Sequence, residues 1–522
     1  MMAHLPVLPI VIPLFAGALC VLTERRFPAL PRALSLLSTL LQVTVALLLL
    51  NRASTGDIDV YLLSNWRAPF GISLAVDRLA TLMLTLTTLL GFLAALWSLG
   101  GDDRRGSHFH AFLQFQLMGI SGAFLTADLF NLFVFFEVLL ASSYALLLHG
   151  AGTAQLRASI HYIVFNLLGG ALFLIAASLL YGLTGTLSLA DLSGKLAALG
   201  PDDAGLAQAA SWLLVLVFAV KAALLPLYYW LPATYGSATA PVAALFAILT
   251  KVGVYAILRV STLLFGAGPL AGLLNDVLPA LALATLALSA VGALAATRLA
   301  SLVGYLVIGS AGTLLFTFGL GDERAIAAGL TYLVNSTLVA GGLFFVLDQV
   351  RARKVHGDTL DPDRAGPPVS RAAGATAYFI LALGASGLPP LAGFFGKALI
   401  LKATIESSWA IAAWTIILVS GLIVLVALAR AGIYLFWKPE AAVPSGTPSS
   451  ATASRAALAL LLSAVLGATV LAGPIAAWAA ATAAQLLARE RYIDAVFAKV
   501  PAPPAWPNRA ELEERVRQGG AK

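Results

Sequence analysis

Four ionisable side chains stand where an apolar sequence should exclude them: Glu137, Lys221, Lys251 and Lys397. Glu137 is ninth of twenty residues in LFNLFVFFEVLLASSYALLL, which puts it close to the centre of a bilayer. Lys221 and Lys251 lie near the middles of two apolar runs between Trp212 and Arg259, and Lys397 closes the run GLPPLAGFFGK. A charged lysine at the centre of a spanning helix costs roughly 2.5–3.5 kcal/mol. Neutralising it at pH 7, from a reference pKa near 10.4, costs about 4.6 kcal/mol. The two costs are close, so a carboxylate or a few waters decide the charge. That is the outline of a proton switch.

Glu137 is the only carboxylate placed so deep, and Lys221 is its first candidate partner. Opposite charges within about 4–6 Å favour the ionised forms, whereas burial favours the neutral ones. Opening such a pair would free a lysine to release its proton. The competing reading is a static ion pair that fixes helix register. It leaves Lys251 and Lys397 without a second deep carboxylate, and Lys251 is too far from either end of its run to snorkel. Weaker polar candidates are His161 and Tyr162 at the start of a sixth span, and Tyr305, Ser310 and Thr313 in a tenth. Tyr332, Asn335, Ser336 and Thr337 belong to an eleventh. They are expected either to line a water file or to bond neighbouring helices. Asp77, Arg78, Asp128 and Asp348 fall at run edges and read as interface residues.

The elements that position these groups follow from composition. The chain has 522 residues, 60% hydrophobic and 11% charged, with mean hydropathy +0.91. Soluble domains carry about 25% charged residues, so this chain belongs in a bilayer. Its net charge of +7 sits in loops between apolar runs, as the positive-inside bias requires, so no nucleic-acid partner is expected. A single cysteine, Cys20, excludes an intrachain disulfide. CxxC, a metal-spaced His/Cys cluster, GxGxxG before a helix and GxxxxGK[ST] are all missing; Gly396-Lys397 is followed by Ala398. No metal or cofactor is expected, and the energy must come from an ion gradient or a partner. The first run, Pro6 to Leu22, has no basic segment before it and Arg25-Arg26 after it, so it reads as a span rather than a secretion signal.

About 20 apolar residues cross the hydrocarbon core. On that basis the chain is an all-α polytopic membrane protein with about fourteen spans. They are expected at 5–22, 31–50, 78–99, 109–126, 129–148, 158–181, 210–231, 241–263, 274–296, 300–319, 325–347, 373–403, 409–436 and 457–486. Pro226 in the seventh, and Pro389, Pro390 and Gly393 in the twelfth, should break those helices near mid-membrane. Two broken spans, each beside a lysine, match the inverted-repeat plan of transporters. The expected organisation is 1–108 (spans 1–3, with a polar, turn-rich loop at 54–76), 109–263 (first five-span repeat, spans 4–8), 274–436 (second repeat, spans 9–13), 457–486 (last span) and a charged tail, 487–522. Arginine and lysine concentrate after odd-numbered spans, among them Arg25, Arg104, Arg157, Arg298, Arg351 and Arg430. This places odd loops in the cytoplasm and both termini outside.

The segments LFNLFVFFEVLLASSYALL, KAALLPLYYWLPATYGSATAPVAALFAILTKVGVYAILR and GLPPLAGFFGKALI resemble the D-type subunit of the multisubunit monovalent cation/proton antiporters (Mrp, Mnh or Pha type). The wider family includes the antiporter-like membrane subunits of respiratory complex I. TADLFNLFVFFE and YIDAVF resemble the D-type antiporter form more than the complex I form. The resemblance implies that Glu137 is the family's span-5 glutamate and Lys221 its span-7 partner. It implies that Lys251 is the central lysine of a proton path and Lys397 the lysine of broken span 12. It further implies a multi-pass protein in the bacterial inner membrane, in contact with lipids and other antiporter subunits, where Na⁺ or K⁺ exchanges for H⁺. Two alternatives remain open: a proton-pumping subunit of a complex I-like or hydrogenase-type redox complex, and a non-conducting scaffold. The chain departs from the family in span 11, where Ser336 follows Asn335 in place of histidine, and at Gly236 after Tyr235. Waters held by Tyr332, Ser336 and Thr337 are expected to replace a histidine relay.

Overall fold

The computed structural model describes residues 2–150, 152–353, 357–360, 373–437 and 452–499. Helices account for nearly all of it, because lipid offers a backbone no hydrogen-bond partners and only internal ladders satisfy it. In chain order they are α1 (Leu8–Thr23), α2 (Leu30–Ala53), α3 (Arg78–Ser98), α4 (Phe109–Leu125), α5 (Leu129–Leu147), α6 (Thr153–Thr184), α7 (Leu189–Ala197), α8 (Pro201–Ala222), α9 (Trp230–Ser237) and α10 (Ala240–Leu263). The second half holds α11 (Val277–Ala295), α12 (Leu299–Gly319), α13 (Glu323–Arg353), α14 (Ala373–Ser386), α15 (Ala392–Ala403), α16 (Ala410–Gly432), α17 (Thr452–Val470), α18 (Ala472–Leu487) and α19 (Arg489–Ala498). Among the described residues, 12 helices are long and apolar enough to cross a membrane. Every expected run falls on one helix or on a broken pair.

Three features depart from the sequence reading. The polar stretch 54–76 is not merely a loop: β1 (Asp59–Leu62) pairs antiparallel with β2 (Ser73–Val76), Asp59 opposite Val76. Strand β2 is wholly buried, so its alternate residues serve the core rather than a surface. The last run is interrupted at Leu471, dividing it into α17 and α18, which both pack along α13. The amphipathic helix α7 occupies a connection in which no element was expected, with Leu189, Leu192 and Leu196 buried. Of the expected tail, α19 is helical and residues 500–522 lie outside the described residues.

The most interior helices are α10 and α13, buried along the windows that would cross the bilayer. Helix α13 packs against α10, α12, α14, α15, α17 and α18. The elements with least apolar exposure are thus those that carry Lys251 and the Tyr332–Thr337 segment. Asp77 caps α3 by accepting the Ala80 N–H at 2.8 Å, and its other oxygen meets the Arg259 guanidinium at 2.6 Å. Both partners are buried, which corrects the reading of Asp77 as an interface residue. Asp128 caps α5 through the Asn131 N–H at 2.7 Å.

Candidate functional site

Helix α8 ends immediately after Lys221. Ala223 adopts a left-handed conformation (φ 55°), a state that costs an ordinary L-residue roughly 1–2 kcal/mol, and Leu224 donates to the Ala219 carbonyl at 3.0 Å. Pro226 follows in the connection and α9 resumes at Trp230. Lys221 therefore sits in the last turn of a half-helix, where carbonyls without amide partners favour a cation. Its Nζ donates to Asn166 Oδ1 at 2.8 Å, and Asn166 donates in turn to the Tyr162 carbonyl at 2.8 Å.

Glu137 is half-buried on α5 and faces the same stretch of α6. A Cβ on Gly170 would lie 2.7 Å from Glu137 Oε1, and one on Gly169 would lie 3.8 Å from Lys221 Nζ. The pair is close enough to interact electrostatically, but it is not in contact. Among the described residues, no carboxylate forms an ion pair with Lys221 within 4.0 Å, and Asn166 holds the ammonium instead. The Glu137–Lys221 pair expected from the sequence thus stands farther apart than 4.0 Å in this structure.

Helix α10 meets the end of α8 directly. A Cβ on Gly253 would fall 2.8 Å from the Lys221 carbonyl carbon, so only glycine permits this approach. A cavity of about 20 Å³ lies between Lys221, Asn166, Tyr162, Trp230, Leu249 and Val252, room for about one water. Lys251 is fully buried, and its Nζ lies 2.5 Å from Ser310 Oγ. That hydroxyl donates to the Val307 carbonyl at 2.7 Å, which leaves its lone pairs for the ammonium.

Ser310 also lines a second cavity, of about 50 Å³, whose wall includes Lys397. A water needs roughly 10–15 Å³ of such space, so about three to five fit. Hydroxyls of Tyr305, Thr313, Tyr332, Ser336 and Ser420 belong to residues around it. Asn335 donates to the Gly384 carbonyl at 3.1 Å, while its Oδ1 is buried without a partner, an acceptor placed for a water.

The break before Lys397 repeats the first one with other residues. Gly387 ends α14 at φ 78°, and Gly387 and Leu388 both donate to the Leu383 carbonyl. Pro389 and Pro390 carry the chain to α15. Gly393 packs onto the Gly384 carbonyl. Lys397 reaches back from α15 to donate to the Ser386 carbonyl at 2.7 Å. Both broken spans therefore bring an ammonium to the carbonyl end of a half-helix: Lys221 on its own, Lys397 on the preceding one.

Comparison with known proteins decides the lineage. Residues 126–423 match the family described as NADH:quinone oxidoreductase/Mrp antiporter, TM. The chain is 41% identical over 476 residues to the probable K(+)/H(+) antiporter D-type subunit of Rhizobium meliloti, covering 84% of this chain and 88% of that one. The chain belongs to the family of Mrp-type antiporter D-type subunits. Within it, the Na(+)/H(+) antiporter D-type subunit of Bacillus subtilis is 37% identical, with 85% of this chain and 89% of that one covered. A chain of the Mrp complex from Dietzia sp. DQ12-45-1b shares the fold, with TM-score 0.85 at 24% identity, over 95% of this chain and 99% of that one.

Two of the residues expected from the sequence to line water stand elsewhere. His161 is exposed on α6, its Nδ1 beside the Arg157 carbonyl at 3.1 Å and its ring near Tyr229, so it does not line the interior. Thr337 is buried and donates to the Leu333 carbonyl at 2.7 Å, off the cavity wall. Asn166 escaped the sequence reading altogether. The available signal was an amide within an apolar run, one turn beyond Tyr162.

Proposed function

We propose that this chain is the proton-translocating membrane subunit of a Na⁺(K⁺)/H⁺ antiporter complex in the bacterial inner membrane. It is a transporter subunit rather than an enzyme, and it works together with other antiporter subunits. Protons move along a row from Glu137 and Lys221 to Lys251 and on to Lys397. Glu137–Lys221 is the gate: closing the pair holds the Lys221 charge, and opening it, with Asn166 taking the ammonium, lets the proton pass on. The observation that carries this reading is the cavity whose wall holds both Ser310, the partner of Lys251, and Lys397. Hydroxyl-held waters, with Tyr332, Asn335 and Ser336 on the wall, take the place of a histidine relay. Loops after odd-numbered spans face the cytoplasm and both termini face outward, as the arginine census requires. The 109–263 and 274–436 segments act as the two inverted repeats.

Similarity to antiporter proteins of the D type across 84% of the chain favours antiport over coupling to a redox arm. A non-conducting scaffold would not need a cavity lined with hydroxyls whose wall holds Lys397 and the serine that binds Lys251. The test is cation-dependent ΔpH in vesicles containing the whole complex. Glu137→Ala and Lys221→Ala should each abolish it while every subunit is retained. Full activity in either variant removes the gate.

A further inference from the structure

Helix α13 packs against both α15 and α18, and between those two helices it forms the floor of a groove. Both walls begin at an interruption, α15 after Pro389-Pro390 and α18 after Leu471. At that end the groove is closed: the Ala392 N–H of α15 donates to Thr469 Oγ1 of α17 at 3.0 Å. Farther along, the helices are separated by a cavity of about 590 Å³, within the usual range of ligand sites. Its walls are hydrocarbon, with Leu399 and Ala403 on α15, Ala476 and Ala480 on α18, and Ala328 on α13. Thr331 adds the one hydroxyl, and its hydrogen is committed to the Ala327 carbonyl at 2.9 Å.

Two cations stand at the open end. Arg324, in the first turn of α13, and Lys402, in the last turn of α15, line the same cavity and are exposed. Among the described residues neither forms an ion pair within 4.0 Å. Glu406, in the connection after α15, shares the mouth without pairing with Lys402. Asp322 is committed to the start of α13, where it accepts the Ala325 N–H at 3.1 Å. Two cations against one carboxylate leave a single positive charge at the mouth, the complement of one phosphodiester. Beside them Ile405 is 59% exposed. Basic residues at helix ends commonly snorkel to the interface. This pair differs in opening onto one shared cavity with apolar walls.

We propose that this groove is a specific site for one anionic phospholipid, with its phosphate between Arg324 and Lys402 and an acyl chain along α13 between α15 and α18. Length argues for a lipid over a partner's helix. Helix α15 has 12 residues and so runs about 18 Å, enough for one leaflet of a hydrocarbon core about 30 Å thick. A spanning helix needs the whole thickness and would meet the closed end at Ala392 and Thr469. A file of water needs polar walls, which the groove lacks. Basic pockets between spanning helices hold anionic headgroups for the same electrostatic reason. The occupant bridges α13 and α15, which carry Asn335 and Lys397, so on the function proposed above it steadies the wall of the lysine cavity. The lipid site itself does not depend on that reading.

The test uses the intact complex in nanodiscs of mixed phosphatidylglycerol and phosphatidylcholine, with the lipids retained after detergent extraction counted by mass spectrometry. The unaltered complex should retain phosphatidylglycerol over phosphatidylcholine by roughly tenfold, and brominated phosphatidylglycerol should place bromine density in the groove. Arg324→Gln with Lys402→Gln should lose one phosphatidylglycerol for each copy of this chain, whereas Arg324→Lys with Lys402→Arg should keep it. Ala480→Phe obstructs the groove with both charges in place and should lose it as well, so the decision does not hang on one variant assembling. Equal retention of the two lipids overturns the site. So does an unchanged phosphatidylglycerol count in either the neutral or the obstructed variant, or a protein segment lying in the groove. Intact antiport in Glu137→Ala strikes the lysine row and leaves the lipid count untouched.

Discussion

Lys251 and Ser310 are joined at 2.5 Å in the middle of the protein, and the hydroxyl that holds the ammonium also forms part of the wall facing Lys397. One side chain thus binds the ammonium and lines the space through which, on the proposed function, its proton leaves. A hydrogen bond to a charged group is worth about 1.5–3 kcal/mol. Ser310→Ala should therefore slow cation-dependent ΔpH roughly ten- to hundredfold, with the complex assembled, and Ser310→Thr should restore much of the rate. An unchanged rate in Ser310→Ala would separate Lys251 from the cavity.

Glycine at 170 leaves Glu137 its position. A methyl there would press on the carboxylate at 2.7 Å, whereas Gly182 on the same helix faces open space. Gly170→Ala should lower antiport about tenfold or more by displacing the gate carboxylate. Gly182→Ala should match the unaltered protein within about twofold, the usual indifference of an open surface position. Equal effects at the two glycines would mean that helix propensity, rather than the gate, is being measured.

Ser420 contributes a hydroxyl to a cavity of about 50 Å³. Ser420→Leu fills that space with hydrocarbon and displaces its waters. Filling a void tends to preserve or raise stability, so thermal unfolding of the solubilised complex should not move downward. Transport should nevertheless fall by more than about tenfold, because the relay needs waters and not merely room. Loss of stability together with transport would point to ordinary overpacking.

The Asp77–Arg259 pair makes the opposite prediction. Both partners are buried and 2.6 Å apart, and the guanidinium also lies 5.2 Å from the ring centroid of Tyr492 on α19. Removing the carboxylate leaves a buried cation unpaired, at a cost of about 3–5 kcal/mol. Asp77→Ala should sharply lower the thermal midpoint and yield of the complex, and Asp77→Ala with Arg259→Met should recover part of it. A midpoint unmoved by Asp77→Ala would show that the pair is not dry.

The helices are legible in the sequence because bilayer thickness fixes the length of an apolar run, and prolines mark where a run must break. Pro226 and Pro389-Pro390 fall in the two breaks. The lysines are legible for the same reason, since a charge in hydrocarbon is rare. Their partners are not. Asn166 and Ser310 look like any polar residue bonding within a helix, and only the packing of α6 on α8 and of α12 on α10 turns them toward an ammonium. Hydropathy along α6 places His161 in a span but says nothing of which face it occupies. Edge position misled at Asp77, because a residue at the end of one helix can be covered by another. The β1–β2 hairpin was hidden by its short strands, for which local composition carries little signal.

Everything rests on Lys251 handing on a proton from within the protein. Cation-dependent ΔpH in vesicles holding the complete complex, compared between the unaltered chain and Lys251→Leu, tests this most directly. The account predicts full assembly and no cation-dependent ΔpH in the variant. Assembly with ΔpH at the unaltered level would contradict it.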